Sequence, residues 1–302
     1  MRSGAGRRRL LHAFEDEGIS PTHVKLMAYH KRFLVTTKIV DQLLETMMHE
    51  NGFDLYENAG NLALANLLHL VTPAFCGQAE HDELLRRFVS LARDVNDESI
   101  RQFYSQVDRL LATCTDREFI DVLQMLRATQ SVVREAIVAP DKTAIDPAIP
   151  AFVDLAAQWS FTLGEPFEIV HDESKPLQQF HEVLASLMSL SKPGREYVSP
   201  GPTWRLPILS TGITFVSSAD VPAVQLADLL AGVMCSVLSD STRGPVGQFA
   251  RDILSTRFGQ LKYSPVWPST AVTPSELRAD LRQYAQPALE HSIALIKEGR
   301  RE

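Results

Sequence analysis

From Ala59 to Ala139 the sequence carries helical periodicity and nothing else. Apolar residues recur three and four positions apart, which gathers them on one face of a helix. The expected helices are Asn61–Leu70, His81–Val95, Ser99–Ala112 and Glu118–Ile137, with breaks at "TPAFCG", "DVNDES" and "TCTDRE". A block of this length without a strand restricts the fold, because any sheet must be built from its flanks.

The flanks supply strands. Leu10, Leu11 and Phe14 share one face of a helix that runs from Arg7 to Glu17 and stops at Gly18. "HVKLMAYH" (His23–His30) reads as a strand, and a helix follows from about Leu34 to Glu50. Beyond the block, the Pro- and Asp-rich "APDKTAIDPAIP" is a connector. Then come a helix at Phe152–Leu163, a strand at Phe167–His171 and a helix at Leu177–Leu190. "SKPGREYVSPGPT" reads as a loop, "GITFVSS" as a strand, and "AVQLADLLAGVMCSVL" (Ala223–Leu238) as a helix. The tail reads as a helix near Gly247–Thr256, a Pro-rich loop through Trp267 and a last helix from Ser275 to about Lys297. This order is that of an α/β core interrupted by an all-helical insertion. It predicts one domain over residues 1–302, with the insertion at about 57–138 and a helical tail at about 245–302.

Net charge is −7, which argues against coating nucleic acid through bulk charge. It leaves open an enzyme acting on nucleic acid through carboxylates and cations. No apolar run reaches the ~18 residues of a membrane span. The start, "MRSGAGRRRLLHAFEDEG", lacks the apolar stretch of a secretory signal, and its acids come too early for a transit peptide. Cys76, Cys114 and Cys235 form neither a zinc pattern nor a disulfide framework. Their apolar neighbours make them core residues, and a cytoplasmic setting fits.

The candidate chemistry lies in acids. Asp172 ends the strand "FEIVHD", and sites in open α/β sheets lie beyond the carboxyl ends of strands. Glu173 and His171 share that edge. The alternative is that Asp172 or Ser174 caps the next helix. Asp228 is the one charge in an otherwise almost wholly apolar helix, which predicts a buried carboxylate. A shared Mg²⁺ or Mn²⁺ would offset its burial, and hydrogen bonds to Ser or backbone N–H groups are the alternative. Gln225, one turn earlier on the same face, can bond a ligand or the acid, or else pair with backbone. Asp220 reads as a loop or capping residue. "HKR" (His30–Arg32) closes the first strand, where His30 and Lys31 can meet phosphate or be a solvated strand end. His12, His23, His49, His69, His81, His181 and His291 show no metal-ligand spacing.

"VHDES" with "VQLADLLAG", together with "HKRF…VDQLLE" and "NGFDLYENAGNLALANLL", resembles the bacterial domain-of-unknown-function 3800 family (DUF3800), from about His23 to Gly232. The resemblance implies a ribonuclease H-like fold and a metal-dependent nuclease without an established substrate. It carries the family's carboxylates onto Asp172 and Asp228. The family opens on a strand ending in Asp-Glu-Ser-Gly, which this sequence does not show, since "FEDEG" (Phe14–Gly18) falls in a helical register. The expectation is therefore a member lacking its first strand, marginal in stability and weak or inactive. Two functions follow: a phosphodiester hydrolase using Mg²⁺ or Mn²⁺ on nucleic acid, or a non-catalytic interaction module using the helical block from Asn58 to Ile137.

Overall fold

A computed structural model describes residues 4–56, 59–137, 146–198, 202–239, 244–277 and 280–299. The chain divides into two compact units. Residues 1–28, 148–265 and 284–302 make the first, and residues 29–147 and 266–283 the second.

The second unit is helical. α2 (Lys31–Ile39) passes through a π-helical turn, Val40–Leu44, into α3 (Glu45–Glu50). α4 (Gly60–Cys76), α5 (Gln78–Arg93), α6 (Asp97–Thr113), α7 (Arg117–Ala128) and the short α8 (Val133–Ala136) follow. The expected breaks at "DVNDES" and "TCTDRE" carry caps. The Asn96 side chain accepts from the Ser99 N–H at 2.9 Å while the Asn96 N–H donates to Ser99 Oγ at 3.0 Å. Asp116 accepts from the Phe119 N–H at 2.9 Å. One cluster, including Leu43, Phe88, Phe103, Val107, Leu110, Leu123 and Leu126, forms the core. Each such side chain contributes about 2 kcal/mol on burial.

Two helix limits differ from expectation. α4 runs through Pro73 to Cys76 rather than stopping at "TPAFCG". Proline there removes only the bond to the His69 carbonyl, while Thr72 and Cys76 stay buried in the core. The helix expected at Glu118–Ile137 breaks at a 3₁₀ turn, Thr129–Ser131. Thr129 Oγ1 donates to the Leu126 carbonyl at 2.7 Å and bonds the Tyr104 hydroxyl at 2.8 Å, so its side chain competes with the helix ladder.

The first unit is mixed α/β. α1 (Gly4–Ala13) ends before the expected Glu17, and Asp16 Oδ1 takes up the Gly18 N–H at 2.8 Å in a turn. β1 (Leu26–Tyr29), α9 (Ala148–Leu163), β2 (Phe167–Asp172), α10 (Lys175–Gln179), α11 (His181–Leu187), β3 (Arg195–Val198) and β4 (Thr203–Leu206) come next. β5 (Ser210–Val216), α12 (Pro222–Leu238), α13 (Gly244–Leu254), β6 (Tyr263–Val266) and α14 (Asp280–Gly299) complete it. Among the described residues the strands form three pairs: β1 with β6, β3 antiparallel with β4, and β2 parallel with β5. The expected loop "SKPGREYVSPGPT" thus holds β3 and the first residue of β4. Its Tyr197 is buried between the exposed Glu196 and Val198, a period-two pattern hidden by Gly and Pro. The Pro-rich loop before Trp267 likewise contains β6. The expected helix Leu177–Leu190 is α10 and α11, interrupted at Phe180 and ending at Leu187.

Candidate acidic site at the end of the parallel strand pair

β2 and β5 run in parallel register from Phe167 opposite Ser210 to Asp172 opposite Val216, with one irregularity after Phe167. Their alternating β-branched and aromatic residues suit a half-buried strand. The loop leaving β5 folds back on the end of β2. Asp172 Oδ1 accepts from the backbone N–H groups of Glu173 and Ser218, each at 3.0 Å. The cap of α10 is Ser174, whose Oγ accepts from the Leu177 N–H at 3.5 Å, so Asp172 is free for the loop. Its Oδ2 accepts no hydrogen bond among the described residues.

Gln225 closes the same loop. Its Nε2 donates to the carbonyls of Ser218 at 2.8 Å and Ala219 at 3.1 Å. Strand end, loop and first turns of α12 are therefore linked through Asp172, Ser218 and Gln225. Glu173 and Asp220 are exposed, and the Asp220 N–H closes a turn on the Ser217 carbonyl at 3.0 Å. His171 turns its Nδ1 to the Asp172 carbonyl at 2.6 Å, and its ring packs near Phe152 and Phe215.

Asp228 corrects the sequence reading, because it is exposed. α12 buries Val224, Leu230, Val233 and Met234, while Leu226 is 46% and Leu229 37% exposed. The apolar composition all round this helix is not matched by neighbours all round it, so no buried charge needs compensation. Asp228 lines an open groove of about 290 Å³ with Arg7, Leu10, Ser236 and Phe249. Its carboxylate has no hydrogen bond or ion pair among the described residues.

His30 and Lys31 belong to the second unit. Lys31 is exposed. His30 caps α2, accepting from the Phe33 N–H on Nδ1 at 3.2 Å. Its ring meets Trp267 edge-on at 5.0 Å and His69 at 5.2 Å, and His69 meets His81 at 5.5 Å. Sequence spacing does not reveal this row. The signal present is the pair of histidines on either side of Gly77, where α4 turns into α5. His81 is 2% exposed and its Nδ1 accepts from Arg32 Nη2 at 3.3 Å; Arg32 also pairs with Asp82. Burial first, and then neighbouring positive charge, pull His69 and His81 down to about 4. Among the described residues, no three His, Cys, Asp or Glu side chains are grouped to hold a metal.

Comparison with protein-family models, with curated proteins and with solved structures finds no match to this chain.

Proposed function

We infer that the chain is a ribonuclease H-like phosphodiester hydrolase that works on nucleic acid in the cytoplasm. One observation carries the reading: the parallel pair β2–β5 ends in an acid, clamped by two N–H groups, one from the adjoining Glu173 and one from Ser218 in the loop leading into α12. Clamping Oδ1 orients the carboxylate and leaves Oδ2 directed by the fold rather than by solvent. The donor chemistry suits Mg²⁺ or Mn²⁺, which take oxygen ligands and use one or two carboxylates, with water or substrate phosphate completing the shell. Asp172 and Asp228 are the acids we assign to it. Such a cation supplies activation of water and neutralisation of phosphate charge. Asp172 would hold it through the free oxygen, Gln225 holds the loop, and the exposed Asp228 is the side chain left available to the cation. Among the described residues no helix is long and apolar enough to cross a membrane, which accords with a site facing water.

The test is cleavage of single- and double-stranded DNA and RNA with Mg²⁺ or Mn²⁺. Cleavage should fall at least 100-fold in Asp172→Asn and Asp228→Asn. Cleavage unchanged in both variants would refute the assignment of these acids. A second reading has its own observation. On the second unit Phe53, Tyr56, Leu62 and Leu70 are exposed apolar side chains, as an interaction module would present. An intact fold without metal and no cleavage of any nucleic acid would select that reading.

A further inference from the structure

In the first unit, α9, α11, β4 and α14 surround a groove of about 430 Å³. Its walls are apolar, formed chiefly by Ile149, Val153, Leu184, Leu187, Leu206 and Ile296. One charged side chain, Asp154 on α9, lines it.

The carboxylate of Asp154 is held by neutral donors. Trp204 Nε1 donates to Oδ1 at 2.8 Å, and Gln158 Nε2 donates to Oδ2 at 2.6 Å. Ser264 adds a third hydrogen bond, and Gln158 is itself 3.2 Å from Ser264 Oγ. No Lys, Arg or His pairs with Asp154 among the described residues. Burial raises its proton affinity, and the three hydrogen bonds pull the other way. Neutral dipoles fix where a carboxylate sits but leave its charge uncompensated beside an apolar wall. A few hundred Å³ of apolar lining with one fixed polar group is the usual make-up of a small-molecule site.

We propose that this groove binds a small apolar molecule bearing one protonated amine, the ammonium pairing with Asp154 and the hydrocarbon lying against Leu184, Leu187 and Ile296. Charge complementarity selects the occupant. A neutral alcohol of the same shape gains only the apolar walls, and a carboxylate meets Asp154 as a like charge. The proposal is independent of the acids assigned to phosphodiester hydrolysis, since Asp154 lies on α9, whereas Asp172 ends β2 and Asp228 lies on α12.

Three isosteric probes decide it on the full chain at pH 7: cyclohexylmethylamine, cyclohexylmethanol and cyclohexanecarboxylate. Binding is read by calorimetry and by the emission of Trp204, which borders the groove. The amine should saturate, with the alcohol at least tenfold weaker and the carboxylate not bound. Asp154→Asn keeps an acceptor for Trp204 and should erase the preference for amine over alcohol. Ile296→Trp fills the groove from its partly exposed rim and should abolish both. Equal binding of amine and alcohol to the wild-type chain would overturn the proposal. So would failure of the amine to saturate, or amine binding that survives Ile296→Trp. Should Asp154→Asn fail to fold, the probe comparison and Ile296→Trp still decide.

Discussion

The imidazoles of His69 and His81 sit where a proton is unwelcome. His81 is buried with Arg32 donating to its Nδ1, so protonation would set a second cation against the guanidinium and break that bond. The ordinary value of 6.5 falls to about 4 in the fold. The unfolded chain therefore binds the proton more tightly than the folded one. The stability contributed by a neutral His81 is full above about pH 6.5 and drains away as pH falls toward 4. Denaturant titrations at pH 7 and pH 4.5 should differ by roughly 2 kcal/mol on account of His81, since each tenfold difference in proton affinity between the two states is worth about 1.4 kcal/mol. His81→Gln, which keeps an acceptor for Arg32, should flatten that dependence; an unchanged pH slope in this variant would count against the argument. Asp228 behaves in the opposite way. Being exposed, its replacement by Asn should move stability by no more than about 0.5 kcal/mol in a thermal melt. The sequence marks Asp228 as unusual but does not say how many sides of its helix are covered, because burial belongs to the neighbours and not to the helical wheel.

Helices of the second unit meet at their ends as well as along their faces. Cys76 closes α4 and Cys114 follows α6, and the Thr115 N–H donates to the Phe75 carbonyl at 3.2 Å between them. The two thiols are within hydrogen-bonding reach of one another, and burial first, then Cys114, push Cys76 up to about 12. The half-buried Cys114 is the more accessible of the two thiols. Treatment with diamide, which accepts the two electrons and two protons, should join Cys76 to Cys114 within one chain. The link should raise the melting temperature, the chain-entropy gain for a loop this long being about 4 kcal/mol. Peptide mapping that recovers both cysteines as free thiols after oxidation would disprove it. In the same core, Leu126→Ala should cost about 3 kcal/mol, measured by denaturant unfolding, because the leucine is fully buried. Much of this unit is readable in the sequence, since repeating apolar faces and the polar breaks that hold Asn96 and Asp116 are local features. What is not readable depends on tertiary packing: the helix persisting through Pro73, the strand β3 within "SKPGREYVSPGPT", and the row of histidines, whose members stand apart in sequence.

At the scale of the molecule, acid acts unequally on the two units. The second holds His69 and His81, both pulled down to about 4. It also holds Asp41, whose carboxyl is raised chiefly by burial; the fold takes up that proton before the unfolded chain does, a gain that sets in above the ordinary carboxylate range and is complete within it. The first unit holds His291, lowered by burial and by Arg195, and Asp154, raised by burial. Among the described residues each unit thus holds one raised carboxyl, while the second holds two lowered imidazoles against one in the first, so between pH 6.5 and 4.5 the second unit loses more than the first. The tryptophans divide to report this. Trp267 belongs to the second unit, against His30, while Trp159 and Trp204 belong to the first. A chain keeping only Trp267, with Phe at the other two positions, should show its emission change at higher pH than a chain keeping only Trp204. The unit cores are distinct clusters, so separate transitions are physically permitted. Coincident acid transitions for the two reporters would mean that the units unfold as one and that the histidines do not set the order.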